Sequence, residues 1–321
     1  MPPMQPFATL DVFTRQRFGG NPLAVLPQGG TLNDATMQQV AREFNLSETT
    51  FVSPPQNPQH TARVRIFTPQ TELPFAGHPT LGTAAYLARQ GQVTLTPDAT
   101  GQKQGTAVLE LNIGPVPVEV REESDGTLYA ELCLTHAPEV GPPVPTLADL
   151  ARCVGLSPDD LLDESGEDGW QPQGVSMGVT FLCLPAVSQE AVRRATPDTA
   201  AIRDVLGPWW SQHLWVFARA ENAEGEAPAD FHARMFAPTL GVTEDPATGS
   251  AAAAFGAYLG LRMPTRPQEP TTRDRWTVRQ GVEMQRPSRL EIAVTKTGNT
   301  VSEIRVGGHV VPMSSGELPV G

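Results

Sequence analysis

Two related stretches decide how this chain is organised: AGHPTLGTAAYL at residues 76–87 and ATGSAAAAFGAYL at residues 247–259. Each contains a glycine, Gly77 or Gly249, and each reaches Ala-Tyr-Leu with its leucine ten residues after that glycine. Small and apolar residues fill the positions between, as expected of tightly packed helices. Self-similarity of this kind predicts that the chain consists of two related halves.

The residues before each glycine repeat as well. RIFTP at 65–69 precedes the first glycine, and RMFAP at 234–238 precedes the second. The two phenylalanines are 169 residues apart and the two glycines 172 residues apart, so the halves match with a three-residue insertion between these landmarks. Duplication explains the whole series; two unrelated strand–turn–helix units are the alternative.

Length and charge narrow the class of protein. A chain of 321 residues suggests about two domains. Acidic residues outnumber basic ones 35 to 23, for a net charge of −12, which argues against a nucleic-acid partner. The longest apolar run, 251–261, is too short to cross a membrane at about 20 residues. The N-terminus, MPPMQPFATL, does not resemble a signal peptide, so we expect a cytoplasmic protein.

The sequence also argues against most cofactors. Its two lysines, Lys103 and Lys296, stand in turn-like stretches, whereas pyridoxal phosphate needs a lysine placed in a site. The nucleotide-binding motifs GxGxxG and GxxxxGK[ST] are absent, as are close His/Cys spacings typical of metal sites. Cys133, Cys153 and Cys183 stand far apart in apolar surroundings, which favours buried thiols in a reducing compartment. We therefore expect neither cofactor nor metal.

Short, β-branched runs bounded by Gly, Pro or Asn dominate both halves and predict many strands, while helical patterns are few, which favours an α+β fold. The predicted helices are Asp34–Phe44, Pro79–Gln90, Thr146–Val154, Pro158–Leu162, Gln189–Ala195 and Ser250–Leu261. The last two predicted strands are Val301–Val306 and His309–Pro312. Residues 137–145, APEVGPPVP, hold four prolines and are the best linker candidate.

Each glycine-marked helix start has the properties of an anion site. Pro79 suits the first helical position, where its missing N–H costs nothing, and Thr248 or Ser250 can cap the second helix. The first N–H groups of a helix lack partners and carry partial positive charge, so they bind carboxylates. Two such starts facing one cleft would hold a small acid. The alternative is a pair of Ala-rich helices buried in a core.

Three titratable residues lie beside these features. Glu48 enters an apolar strand in NLSETTFV, His78 stands at the first helix start, and Asp245 precedes the second in EDPATGS. A carboxylate entering a buried strand is unusual unless it is paired or functional. Each residue alone has a structural or surface explanation, but together they suggest acid–base chemistry.

Five stretches carry a specific resemblance: DVFTRQRFGGNPLAV, FNLSETTFV, RIFTPQTELPFAGHPTLGTAAYL, RMFAPTLGVTEDPATGSAAAA and QGVEMQRPS. In this order they resemble the phenazine-biosynthesis (PhzF-like) isomerase family, whose fold is related to diaminopimelate epimerase. The resemblance implies two pseudo-symmetric domains, each a curved sheet around a central helix, with the active site between them. It places the first domain at 1–135 with a returning strand at 309–321, and the second at 136–308.

The resemblance also assigns roles. It makes Glu48 the general acid/base and makes His78 and Asp245 the polar pair that positions or relays protons. Gly77, and Gly249 with Ser250, then supply backbone donors for a small carboxylate substrate. A homodimer is a further expectation from the family, and no nucleic acid or membrane partner is expected.

The epimerase relatives use two cysteines at the helix starts, and this sequence departs from that pattern. Ala76 and Thr248 occupy the corresponding positions. We therefore expect a cofactor-independent isomerase of a small carboxylate in which Glu48 removes and returns one proton. A racemase or epimerase of an amino-acid-like substrate, and a non-catalytic small-acid binding protein, remain open as alternatives at this point.

Overall fold

The computed structural model describes residues 3–163, 169–222, 227–262 and 271–320. The first half contains strands β1 (Met4–Val12), β2 (Asn21–Leu26), β3 (Glu48–Ser53), β4 (Ala62–Phe67), β5 (Glu72–Leu73), β6 (Thr96–Pro97), β7 (Lys103–Leu111), β8 (Gly114–Glu122) and β9 (Leu128–Leu134). The remaining strands are β10 (Glu139–Val140), β11 (Gln173–Ser176), β12 (Thr180–Pro185), β13 (Leu214–Arg219), β14 (Phe231–Ala237), β15 (Val242–Asp245), β16 (Thr271–Gln280), β17 (Ser288–Thr297) and β18 (Thr300–Pro319). The helices are α1 (Asp34–Phe44), α2 (Gly77–Arg89), α3 (Leu147–Cys153), α4 (Gln189–Arg194), α5 (Thr199–Leu206) and α6 (Gly249–Arg262).

The chain divides into two compact units. The first comprises residues 1–133 and 307–321, and the second comprises residues 134–306. The C-terminal part of β18 thus belongs to the first unit, although it is the last strand of the chain. The expected domain limits, 135/136 and 308/309, lie two residues from these boundaries.

The strands of the first unit close into a ring. β1 pairs with β2, and the order continues through β3, β4, β7, β8 and β9. The C-terminal part of β18 then pairs with both β9 and β1. Helix α2 packs against β1, β2, β3, β7 and β8, and eleven of its 13 residues are buried. A helix buried on all sides is the centre of its unit, so this is a barrel around α2.

The second unit repeats this plan. Its strands pair in the order β10, β11, β12, β13, β14, β16 and β17. Helix α6 has eleven of 14 residues buried and packs against β11, β12 and β17. Close packing explains its small residues: a Cβ added at Gly260 would lie 2.8 Å from a methyl of Val301 and 2.9 Å from one of Val294.

Strand register shows the duplication directly. In the first unit Ala62 of β4 pairs in parallel with Leu109 of β7. In the second unit Phe231 of β14 pairs in parallel with Val278 of β16, and both residues lie 169 positions further along the chain. The parallel β2–β3 pair likewise has its counterpart in β12–β13. The repeat seen in the sequence is therefore a repeat of whole strand–helix units.

The three-residue insertion has a definite place in this repeat. Arg65 forms a two-pronged pair with Glu72 across β4 and β5, with N···O distances of 2.8 and 2.6 Å. Arg234 forms the same pair with Glu244 across β14 and β15, at 2.8 and 2.7 Å. Because the pair is conserved while the spacing grows, the extra residues lie in the hairpin, where a 3₁₀ turn occupies Pro238–Leu240.

Three details differ from the sequence-based prediction. The helix expected at Pro158–Leu162 is only a 3₁₀ turn, Pro158–Asp160, because Leu161 is extended and bridges to Ala186. Helix α5 was not predicted; the side chain of Asp198 caps its start. The two strands expected at the C-terminus are one strand, β18.

The cause of the C-terminal error is a glycine. Gly307 was expected to break the strand, but the ring of Tyr129 lies so close that a Cβ at this position would meet its hydroxyl oxygen. Glycine therefore serves close packing within a continuous strand here rather than a turn. Pro79 also differs slightly: α2 begins at Gly77, so this proline is its third residue and still falls where no intrahelical N–H bond is made.

Candidate active site

Glu48 is placed by the parallel pairing of β2 and β3. It is the first residue of β3 and stands opposite Leu23 in the register. Its side chain is 15% exposed, so the carboxyl group is largely withdrawn from solvent. The residues that follow it, Thr49–Val52, are all buried, which holds this end of the strand rigidly in the barrel wall.

His78, the second residue of α2, lies against Glu48. Its Nδ1 is 3.1 Å from Oε2 of Glu48, and its side chain is 5% exposed. Burial lowers the pKa of His78 to about 3, and a hydrogen bond to the carbonyl of Pro22 only partly opposes this effect. The imidazole is therefore neutral near pH 7, and its contact with Glu48 is a close approach rather than an ion pair.

The hydrogen bonds also indicate which imidazole nitrogen carries the proton. A backbone carbonyl only accepts, so the imidazole must donate to Pro22. The Nε2 atom is buried and has no hydrogen-bond partner in the part of the chain that the structure describes. Nδ1 is thus the protonated nitrogen, and Nε2 keeps a lone pair. An unused buried acceptor of this kind calls for a ligand or water.

The start of α2 itself is left open for an anion. Ala76 is its N-cap residue and offers no side-chain oxygen to the first N–H groups. Thr80 turns its hydroxyl back to the carbonyl of Ala76 at 2.6 Å instead. Since Pro79 has no N–H, the donors at this start are those of Gly77 and His78. A carboxylate placed there would meet two backbone donors and the positive end of the helix.

In the second unit, Asp245, Gly249 and Ser250 lie together around the start of α6. Asp245 ends β15, is 7% exposed, and accepts a hydrogen bond at Oδ2 from the hydroxyl of Thr248. Gly249 is buried and begins α6, and Ser250 follows it. The hydroxyl of Thr248 is directed to the carboxylate, so this residue does not act as the simple helix cap that the sequence suggested.

Gln280, at the end of β16, completes this arrangement and was missed in the sequence except as the first letter of QGVEMQRPS. Its side chain is fully buried and bonds to both Asp245 and Thr248. Gly281 follows with φ at +74°, and a Cβ there would lie 2.5 Å from the carbonyl oxygens of Pro246 and Arg286. The only sequence signal was a glutamine at an inward position of an alternating strand.

The thiols take no part in either helix start. Ala76 and Thr248 occupy the positions that cysteine would need. Cys153 in α3 and Cys183 in β12 are buried, and burial raises the pKa of Cys153 to about 11 and that of Cys183 further still. Cys133, in β9, is half-buried, whereas the sequence favoured burial of all three thiols.

Residues 3–163, 169–222, 227–262 and 271–320 contain no group of three His, Cys, Asp or Glu side chains arranged to hold a metal ion. Among these same residues, no helix combines the length and apolar character needed to span a membrane.

Comparison with known proteins identifies the family. The model of the phenazine biosynthesis-like protein family matches residues 10–316. A protein of Mesorhizobium japonicum named as an uncharacterized isomerase is 41% identical over 96% of both chains. The trans-2,3-dihydro-3-hydroxyanthranilate isomerase of Pseudomonas aeruginosa is 33% identical over 98% of this chain and 99% of its own. The crystal structure of a PhzF-family protein from Bacillus anthracis superimposes with a TM-score of 0.83, 23% identity, and coverage of 99% of this chain and 100% of the other.

These matches agree with the α+β fold of two duplicated units around buried helices, which is the diaminopimelate-epimerase-like fold. The matched span includes both helix starts and the residues around them. The chain therefore belongs to the phenazine biosynthesis-like (PhzF) family and is an isomerase.

Proposed function

We propose that this isomerase moves one proton between two carbon atoms of a small carboxylate, with Glu48 as its only acid/base. The observation that carries the proposal is the contact between Glu48 and a neutral His78 at the uncapped start of α2. A base that must both remove and return a proton works best when its surroundings hold it away from bulk water. At 15% exposure, Glu48 meets that condition.

The proposed step balances without any co-reactant. The carboxylate of Glu48 removes a proton from an sp³ carbon of the substrate, and the released electron pair enters the adjacent conjugated system. The double bond shifts, and the protonated Glu48, whose carboxyl proton exchanges with solvent, delivers a proton to a second carbon. Nothing is oxidised or reduced, and the enzyme returns to its starting state.

Backbone donors supply the electrostatic part of this proposal. Negative charge spreads onto the substrate carboxylate as the proton leaves, and the N–H groups of Gly77 and His78 suit that charge. Gly249 and Ser250 offer the same chemistry at the start of α6 in the second unit. The lone pair on Nε2 of His78 is positioned to accept a hydrogen bond from a substrate hydroxyl or amino group.

The substrate named for the relative from Pseudomonas aeruginosa guides the choice of probe. Trans-2,3-dihydro-3-hydroxyanthranilate carries a carboxylate, an amine and a hydroxyl on a partly saturated ring. We propose that this chain takes a substrate of that class, and we choose this compound, followed by a panel of cyclic and acyclic unsaturated acids, for assay in heavy water. Deuterium uptake at carbon reports proton transfer even where the product is not isolated.

The decisive variant is Glu48→Gln, which keeps the shape of the side chain and removes the base. We expect deuterium uptake to fall at least about 100-fold, the usual contribution of a general base. Glu43→Gln is the matched control, because Glu43 is exposed on α1 only five residues earlier. Equal turnover by Glu48→Gln and the wild-type enzyme would refute the assignment. Inversion of a stereocentre without migration of a double bond would instead make the enzyme an epimerase.

A further inference from the structure

The buried amide of Gln280 holds a hydrogen-bond chain that ends on Asp245. Its Nε2 lies 2.7 Å from the carbonyl oxygen of Asp245 and 3.2 Å from Oγ1 of Thr248. Its Oε1 accepts from the N–H of Thr248 at 3.1 Å. Gln280 has no exposed surface, and Thr248 is 9% exposed, so water does not compete for these bonds.

Backbone partners fix the orientation of the amide. A carbonyl oxygen only accepts and an N–H group only donates, so Nε2 must face the carbonyl of Asp245 and Oε1 must face the N–H of Thr248. The opposite orientation would place two acceptors together and two donors together. The amide assignment, which is often ambiguous, is therefore settled by chemistry here.

The orientation of the amide in turn fixes the threonine hydroxyl. Nε2 has two hydrogens, and the second is donated to Oγ1 of Thr248. Oγ1 accepts that bond, and its single proton is donated to the carboxylate oxygen Oδ2 of Asp245. The chain runs in one direction, from amide to hydroxyl to carboxylate.

In the described part of the first unit, the two positions that match Gln280 and Thr248 are apolar. The residue that corresponds to Gln280, by the repeated pairing of β4 with β7 and β14 with β16, is Leu111. Ala76 stands where the second unit has Thr248. Among the described residues, the amide and the hydroxyl of this chain of hydrogen bonds therefore have no counterparts at the matching positions of the first unit. If this hydrogen-bond chain served only to stabilise the helix N-terminus, we would expect it at the start of α2 as well as at the start of α6.

We propose that Gln280 is a positioning residue that acts through Thr248 to keep Asp245 an ionised acceptor at the start of α6. This inference rests on the proposed function, in which the start of α6, beside Asp245, offers backbone donors to the substrate. A donated hydrogen bond favours the charged form of a carboxylate, and bonds in a chain strengthen one another. Removing the first donor should therefore weaken the last bond.

The test is a titration of the Asp245 carboxyl carbon in the full, ligand-free chain, labelled with ¹³C at aspartate and assigned by its loss in Asp245→Asn. In Gln280→Met we expect the titration midpoint to rise by about one pH unit. Thr248→Val should raise the midpoint at least as far. The double variant should match Thr248→Val, because both changes break the same chain. Additive shifts, or an unchanged midpoint in Gln280→Met, would overturn the proposal.

Folding is checked by controls. Gln5→Met removes another buried amide, whose Nε2 donates to the carbonyl of Gln28, and should leave the Asp245 signal unchanged. If Gln280→Met does not fold, Gln280→Leu replaces it, since this side chain cannot donate a hydrogen bond and adds no charge beside Asp245. Thr248→Ser restores the hydroxyl and should restore the wild-type midpoint, whereas a midpoint like that of Thr248→Val would count against the chain.

The titration needs no substrate, so the two proposals fail separately. With a substrate in hand, Gln280→Met should lower kcat more than it raises KM, and should move the pH profile of kcat by the shift seen in the titration. A normal titration shift without any deuterium uptake would remove the proposed function and leave the hydrogen-bond chain standing. If turnover depends on Glu48 but the Asp245 midpoint does not shift in Gln280→Met, the proposed function stands and the hydrogen-bond chain is refuted.

Discussion

Nδ1 of His78 lies 3.1 Å from a carboxylate oxygen of Glu48, while burial holds this imidazole in its neutral form. A charged histidine at this distance would attract the Glu48 carboxylate and weaken it as a base. A neutral imidazole exerts no such attraction and still offers hydrogen-bonding atoms beside the carboxylate. The arrangement suits a single base that exchanges a proton with carbon.

Stability should depend on pH through His78. Its pKa falls from 6.5 to about 3 on folding, so below pH 6.5 the unfolded chain takes up a proton that the folded chain does not. The stability that the neutral imidazole contributes is fully present above pH 6.5 and is lost as the pH falls from 6.5 towards about 3. Between about pH 7 and pH 5, urea unfolding should show that the free energy of unfolding falls less in His78→Gln than in the wild type. The two slopes against pH should differ by the uptake of up to one proton.

The control for this experiment is His136→Gln. His136 is exposed, so its replacement should leave the pH dependence of unfolding as it is in the wild-type chain. Identical pH dependence in wild type and His78→Gln would mean that the imidazole binds its proton equally well in the folded and unfolded chains.

Local signals in the sequence located most of these elements. Helix α1 was predicted with its observed limits from its TLND start at 31–34, and in the structure Asn33 caps it by accepting from the N–H of Thr36. The paired helices α2 and α6 were found because duplication repeated their glycines. Gln280 was missed because its partners lie 32 to 35 residues away, and no local pattern records a hydrogen bond of that range. The same holds for Gly307, whose reason is the distant ring of Tyr129.

Thiol chemistry offers a second prediction. Burial raises the pKa of Cys153 from 9.0 to about 11, which lowers its thiolate fraction about 100-fold, and Cys183 is fully buried as well. Iodoacetamide at about pH 8 should therefore modify neither residue in the native chain, while all three cysteines react in urea. Mass spectrometry of the alkylated peptides measures this. Deuterium uptake should survive the treatment; inactivation that follows modification of Cys153 or Cys183 would contradict a thiol-independent mechanism.

Close packing around α6 gives a third prediction. Gly260→Ala should gain about 1 kcal/mol of helix propensity but lose about 1–3 kcal/mol by overpacking against Val301 and Val294. We expect a net loss of about 1 kcal/mol in the free energy of unfolding, measured by denaturant titration. Shortening a neighbour should make room, so Gly260→Ala with Val301→Ala should be less destabilised than the two single changes added together. Stabilisation by Gly260→Ala alone would show that the strand moves aside freely.

The duplicated Arg–Glu pairs should differ in their contribution to stability. Arg234 is 10% exposed, and besides Glu244 it donates to the carbonyl of Ala195 at 2.6 Å, near the end of α4. Arg234→Met would leave a buried carboxylate and a buried carbonyl without their hydrogen-bond donor, so we expect a loss of about 3–5 kcal/mol in the free energy of unfolding. Arg65 and Glu72 are 23% and 26% exposed, and water can replace their bonds, so Arg65→Met should cost about 1 kcal/mol.

A double change separates the two causes in the second unit. Arg234→Met with Glu244→Met also removes the unpaired carboxylate and should recover part of the stability lost in Arg234→Met alone. What remains lost then reports the carbonyl bonds at the end of α4, which have no counterpart among those recorded for Arg65. Denaturant unfolding of the wild type, Arg234→Met, Glu244→Met and the double variant completes the cycle. Equal losses in Arg234→Met and Arg65→Met would mean that both pairs are equally solvated, against the burial seen in the structure.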